Sequence, residues 1–147
     1  MGAGPVSAPV IAVGTKLPEL ELYGDPTFIV STAIATRDYQ DVHHDRDKAL
    51  AKGSKDIFVN ILTDTGLVQR YLTDWAGPSA RIKSIGLRLG VPWYAYDTVT
   101  FRGEVTAVDA ADARSKDGAS VATVKVVGSN SLGDHVIATA TLTVGDN

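Results

Sequence analysis

The sequence predicts an α+β protein in which an antiparallel sheet wraps around one long helix. Three observations lead there. Ile61, Val68, Tyr71, Leu72 and Trp75 recur with the 3.6-residue period of an amphipathic helix, and Gly77-Pro78 ends it. Beyond Ala80 the apolar period changes from 3.6 to 2. Helices followed by consecutive strands are the arrangement expected when a sheet packs on helices segregated to one side.

The elements follow in order. Pro5, Pro9 and three glycines mark Met1 to Gly14 as unstructured, with residues 1–10 read as a flexible tail. In Leu17 to Tyr23, Leu20 and Leu22 alternate with Glu19 and Glu21, as on a half-buried strand. Asp25-Pro26 reads as an N-cap followed by proline at the first helical position, with Phe28, Ile29, Ala33 and Ile34 on one face. The β-branched run Phe28 to Thr32 leaves a strand open as an alternative. Regular structure stops near Thr36, leaving Asp38 to His43 irregular. Asp45 to Lys52 predicts two helical turns ended by Gly53. Asn60 is the N-cap of the long helix, whose Ile61, Val68, Leu72 and Trp75 should face the sheet. Ile85, Leu87 and Leu89 begin the alternating half. Val99, Phe101, Val105 and Ala107 continue it, and after a turn at Asp112 to Gly118 come Val121 to Val127 and Val136 to Val144. Gly128 to Gly133 reads as a turn-rich connector between these last two. The whole chain, 1–147, reads as a single domain.

Composition excludes several classes. The net charge is −3 over 147 residues, and the basic residues form no stripe interleaved with aromatics, so nucleic acid is not an expected partner. No apolar stretch is long enough to span a bilayer, and the N-terminus lacks a basic region before its short apolar patch. The chain has no cysteine, which removes disulfides, thiol nucleophiles and thiolate metal sites. A cytoplasmic location is the resulting expectation.

The segment Asp38-Tyr39-Gln40-Asp41-Val42-His43 is where chemistry is expected. It places a carboxylate and an imidazole five positions apart in a chain with 3 histidines. Such a pair can hold a water and move its protons near neutral pH. Because Asp41, Asp45 and Asp47 crowd the same stretch, a solvated surface loop is the competing reading. His44 reads as an exposed or capping neighbour, His135 as a strand-edge surface residue, and Arg37 as an ion-pair partner of Asp45 or Asp47 or a contact for phosphate. Trp75 and Trp93-Tyr94-Ala95-Tyr96 read as core, interface or pocket wall. Adjacent His43 and His44 without a third nearby histidine argue against a metal.

The chain from Leu17 to Val144 resembles the MaoC-like hot-dog proteins, the family of (R)-specific enoyl-CoA hydratases. Asp38 and His43 occupy the ends of that family's Asp…His signature, and Asn60-Ile61-Leu62-Thr63 opens the central helix where the family usually has His-Gly-Met-Leu-Thr. The family's Ser-Gly before the Asp is Thr36-Arg37 here, and its Asn-Pro is Gln40-Asp41. The resemblance is strongest to one branch, the small subunits of two-subunit hydratases acting on the shortened steroid side chain in cholesterol breakdown. It implies a hot-dog fold and a CoA-thioester substrate without a further cofactor. It also implies a larger hot-dog partner subunit in a two-plus-two heterotetramer and, docked through that subunit, a thiolase-like aldolase.

Hydration of a 2-enoyl thioester needs an activated water, a proton for the α-carbon and stabilisation of charge on the thioester oxygen. Asp38 and His43 suit the first two tasks. The backbone N–H of Asn60 or Ile61, at a helix N-terminus, suits the third. Two rivals remain at this stage. A hot-dog thioesterase would use an acid on the central helix, where Asp64 lies, although Thr63-Asp64-Thr65 reads equally as surface polarity. The other rival is a non-catalytic structural subunit.

Overall fold

The computed structural model describes residues 11–109 and 119–144. The tail expected over residues 1–10 and the turn expected at Asp112 to Gly118 lie outside them. The elements are β1 (Lys16–Gly24), α1 (Pro26–Ala35), a short 3-10 turn (Asp41–His43), α2 (Arg46–Ala51), α3 (Ile61–Ala76), β2 (Arg81–Leu89), β3 (Asp97–Asp109), β4 (Ser120–Asn130) and β5 (Gly133–Val144). The strands form one five-stranded antiparallel sheet in the order β1-β3-β4-β5-β2.

Local chemistry accounts for the helices. Asp25 caps α1 by accepting from the Phe28 amide at 2.8 Å, with Pro26 in the first turn. This resolves the Phe28 to Thr32 ambiguity toward helix, since the cap and proline outweigh β-branching. Asp45 caps α2 in the same way through the Lys48 amide at 3.1 Å. Gly77, at φ 89°, ends α3 in the left-handed region open to glycine.

The core lies between α3 and the sheet. Leu67, Val68, Tyr71, Leu72 and Ala76 meet Val99, Phe101, Val105, Val124, Val126, Ala138, Ala140 and Leu142. Val68 and Leu72 are fully buried, so truncating Leu72 to alanine costs about 2–5 kcal/mol. On β3, buried Val99, Phe101, Gly103 and Val105 alternate with outward Thr100, Arg102 and Glu104 until the register shifts between Val105 and Ala107.

Three expectations need correction. Ile61 is 46% exposed rather than turned to the sheet, because the first turn of α3 buries Thr63 and Asp64 and leaves Ile61 and Leu62 outward, and Trp75 is half-buried. Ile34 is also exposed, leaving Ile29 and Ala33 as the buried face of α1. The Gly128 to Gly133 connector is mostly strand. The β4–β5 ladder runs to the Asn130–Gly133 pair, leaving only Ser131 and Leu132 as the turn. The Asn130 side chain secures this tip by donating to the Pro92 carbonyl at 2.9 Å and accepting from the Leu132 amide at 2.9 Å.

Candidate active site

Asp38 reaches its position through the end of α1. The Arg37 amide donates to the Ile34 carbonyl at 3.0 Å and the Asp38 amide to the Ala33 carbonyl at 2.9 Å, the paired bonds of a Schellman ending. Arg37 sits at the left-handed position of that turn, with φ 58°. The reversal swings Asp38 off the helix and over the N-terminus of α3. Arg37 itself is exposed, and among the described residues it makes no ion pair with Asp45 or Asp47.

His43 arrives on the 3-10 turn and is buried. Its Nδ1 lies 2.7 Å from the Phe58 carbonyl, while the Phe58 ring stands edge-on to the imidazole with centroids 4.9 Å apart. A carbonyl only accepts, so Nδ1 carries the hydrogen, and in the neutral ring Nε2 is bare. That bare nitrogen lies 3.4 Å from Asp38 Oδ2. Two acceptors facing one another are satisfied when one water gives a hydrogen to each, leaving its lone pairs aimed outward. The sequence-predicted pair is therefore brought together in a geometry suited to holding water. His44 is exposed, with Nε2 3.2 Å from the Tyr39 carbonyl.

Phe58 is itself fixed. It bridges Tyr94, while the Val59 amide donates to the Trp93 carbonyl at 3.0 Å and the Ala95 amide to the Ile57 carbonyl at 3.1 Å. Trp93 is fully buried against Gly24, where an added Cβ would stand 2.6 Å from the indole nitrogen. The aromatic run is thus split: Trp93 is core, Tyr94 half-buried and Tyr96 exposed.

Asp38, His43, Asn60 and Ile61 line one cavity of about 450 Å³, within the roughly 300–1,000 Å³ of small-molecule sites. Its other walls are largely apolar and include Phe58, Val59, Leu89, Val91 and Pro92. Asn60 occupies the N-cap of α3, but its side chain makes no capping bond. The first amides of a helix lack intrahelical acceptors and sit at the positive end of the dipole, and Asn60 and Ile61 at this end of α3 both line the cavity.

Two functional-looking residues were misjudged from sequence. Asp64 and His135 are both buried, at 0% and 1% exposure. They form a pair behind the cavity, in which His135 lines the wall and Asp64 does not. His135 is covered because Gly90 and Val91 fold over the start of β5, donating to the His135 and Asp134 carbonyls at 2.8 and 3.0 Å. No cluster of potential metal ligands occurs among the described residues, and none of their helices is long and apolar enough to cross a membrane.

No family model matches the chain. It is 77% identical over 135 residues to the 3-oxo-4,17-pregnadiene-20-carboxyl-CoA hydratase beta subunit of Mycobacterium tuberculosis, covering 92% of this chain and 98% of that protein. It also superposes on a chain of the crystallised ChsH1–ChsH2 complex of Mycobacterium tuberculosis with a TM-score of 0.84 and 76% identity, covering 92% and 99% of the two chains. The (R)-hydratase of A. caviae involved in PHA biosynthesis shares the fold, with a TM-score of 0.78 at 20% identity over 91% of this chain and 97% of that one.

Proposed function

This chain belongs to the MaoC-like hydratases of hot-dog fold, in the branch of the 3-oxo-4,17-pregnadiene-20-carboxyl-CoA hydratase beta subunit, and we propose that it is the water-adding subunit of a steroid enoyl-CoA hydratase. The observation that carries this reading is the 3.4 Å approach of His43 Nε2 to Asp38 Oδ2 at the wall of a largely apolar cavity.

Asp38 and His43 share the catalytic water. As its oxygen bonds to the β-carbon, one of the pair takes its proton, and that proton is returned to the α-carbon, so the net addition is H and OH across the double bond. Charge that builds on the thioester oxygen meets the backbone N–H of Asn60 or Ile61. Neither step calls for a metal or redox cofactor, and the substrate brings its own CoA. The acyl group is a steroid with a shortened side chain, and the reaction belongs to cytoplasmic steroid side-chain degradation. The partner is a larger hot-dog subunit in a two-plus-two assembly, through which a thiolase-like aldolase receives the hydrated product.

The thioesterase reading loses its acid, because Asp64 is enclosed behind His135 and both its oxygens face that ring. A purely structural subunit has no use for a fixed Asp38–His43 geometry. The test is to co-purify the chain with the larger subunit and supply 3-oxo-4,17-pregnadiene-20-carboxyl-CoA. Gain of one water with the thioester intact is expected. Release of free CoA, or no conversion, overturns the proposal.

A further inference from the structure

Asn60 is at the N-cap, where an asparagine side chain ordinarily accepts from the amides of the first helical turn. Here it is turned elsewhere. Its Nδ2 donates to Thr36 Oγ1 at 2.9 Å and to Asp38 Oδ2 at 3.2 Å, and its Oδ1 accepts from the Thr63 hydroxyl. The partners dictate this orientation. Asp38 in its carboxylate form can only accept. Thr36 Oγ1 spends its hydrogen on the Thr32 carbonyl at 2.8 Å, so it too must accept from Asn60. The amide nitrogen therefore faces Asp38 and the amide oxygen faces Thr63. Asn60 is 2% exposed, so water does not compete for these bonds.

We infer that Asn60 is a positioning residue, whose side-chain amide fixes the direction in which Asp38 presents Oδ2 to His43. The inference rests on the hydratase reading of the site. One residue then serves two ends. The side chain orients the carboxylate, and by not capping α3 it leaves the helix's first amides without a side-chain acceptor at the end where Asn60 and Ile61 line the cavity. The arrangement forgoes a conventional N-cap, whose loss ordinarily weakens a helix.

The experiment compares Asn60→Gly and Asn60→Asp with the wild type, each co-purified with the partner subunit and assayed on 3-oxo-4,17-pregnadiene-20-carboxyl-CoA. Asn60→Gly keeps the backbone N–H and removes only the amide. It should lower kcat about 10–100-fold with KM within about twofold, the signature of lost orientation rather than lost binding. Asn60→Asp is isosteric and keeps the fold testable if glycine does not. Its introduced carboxylate opposes Asp38 at neutral pH, but once protonated it can donate, so its deficit relative to wild type should narrow as pH falls. A kcat within twofold of wild type for Asn60→Gly, or a pH-independent deficit for Asn60→Asp, overturns the inference. A crystal structure of Asn60→Gly judges the geometry without turnover: a carboxylate still 3.4 Å from His43 Nε2 refutes positioning, and a rotated one supports it. An inactive wild-type complex would instead count against the hydratase reading.

Discussion

His135 Nε2 lies 2.9 Å from each carboxylate oxygen of Asp64, and its Nδ1 lies 2.7 Å from the Val91 carbonyl. Every polar edge of the imidazole is thus satisfied, and the ring is 1% exposed. The pair ties the first turn of α3 to the start of β5 and to the Gly90–Pro92 segment that walls the cavity. Burial pushes the Asp64 carboxyl up, against the pull of His135. For His135, burial pulls down, but the hydrogen bond and charge of Asp64, with the Val91 carbonyl, carry it above its ordinary 6.5. Both directions mean one thing for the pair: it retains a shared proton to higher pH than a free imidazole does.

A pH dependence of stability follows. Between the ordinary values of the two groups, the unfolded chain and the folded pair hold one proton each, and stability is level. As pH rises through 6.5, the unfolded imidazole releases its proton while the folded pair keeps it, so stability falls. Urea midpoints measured at pH 6 and pH 8.5, both chosen to bracket about 6.5, should decline for the wild type. In Asp64→Asn the amide donates to a neutral ring, and the decline should vanish. Asp64→Ala removes one partner of a buried pair and should cost about 3–5 kcal/mol. An identical pH slope in wild type and Asp64→Asn would remove this account.

The signal for Asp64 was present in the sequence and was outweighed. Asp64 precedes Val68 by four residues and Tyr71 by seven, on the buried stripe of α3. Its two threonine neighbours made the local stretch look like surface. His135 had no local signal. It is out of phase with inward Val136, Ala138 and Ala140, and it is buried only because the chain near Val91, far away in sequence, folds over it. The Asp38–His43 pair was legible because its spacing is local. The α3 periodicity and the alternation along β2 to β5 were legible for the same reason. What Asn60 does with its side chain was not, since its partners Thr36 and Asp38 lie 24 and 22 residues away.

Removing Asp38 or His43 should abolish most turnover. In the complex, Asp38→Ala and His43→Ala should each lower kcat roughly 10²–10⁴-fold, the usual contribution of general acid–base groups. Both side chains sit beside a finished core, so gel filtration should still show the complex. His44→Ala should stay near wild type, because its ring is exposed and bonds only locally. Equal inactivation of His44→Ala would mean the wrong imidazole has been assigned.

Arg37 carries strain that glycine would relieve. The endings of α1 and α2 are the same motif: Gly53 fills the left-handed position in one, at φ 89°, and Arg37 fills it in the other, at φ 58°. A residue with a Cβ is disfavoured there by about 1–2 kcal/mol, partly offset by glycine's greater freedom when unfolded. Arg37→Gly should therefore raise stability by about 0.5–1 kcal/mol, and Gly53→Arg should lower it by a similar amount. Urea unfolding of both variants checks the pair. A destabilised Arg37→Gly would show that the arginine side chain contributes more than its backbone costs.

The chain alone should be a poor catalyst. Among the described residues β2 is an edge of the sheet, paired with β5 alone, so that its outer row of backbone groups faces no other described strand. Ile61 and Leu89 line the cavity with Asp38 and His43 and are 46% and 40% exposed, and Leu62 beside Ile61 is 50% exposed, so apolar surface lies open at the cavity. A long acyl-CoA needs more wall than this chain supplies, and a second hot-dog subunit would cover both the apolar rim and the open edge. Activity of the purified chain should therefore be low, and should appear when the larger subunit is co-expressed and co-elutes on gel filtration. The partner should also raise the thermal midpoint, since binding only the folded chain stabilises it. Full hydration of 3-oxo-4,17-pregnadiene-20-carboxyl-CoA by a monodisperse monomer would show that the cavity is complete without a partner.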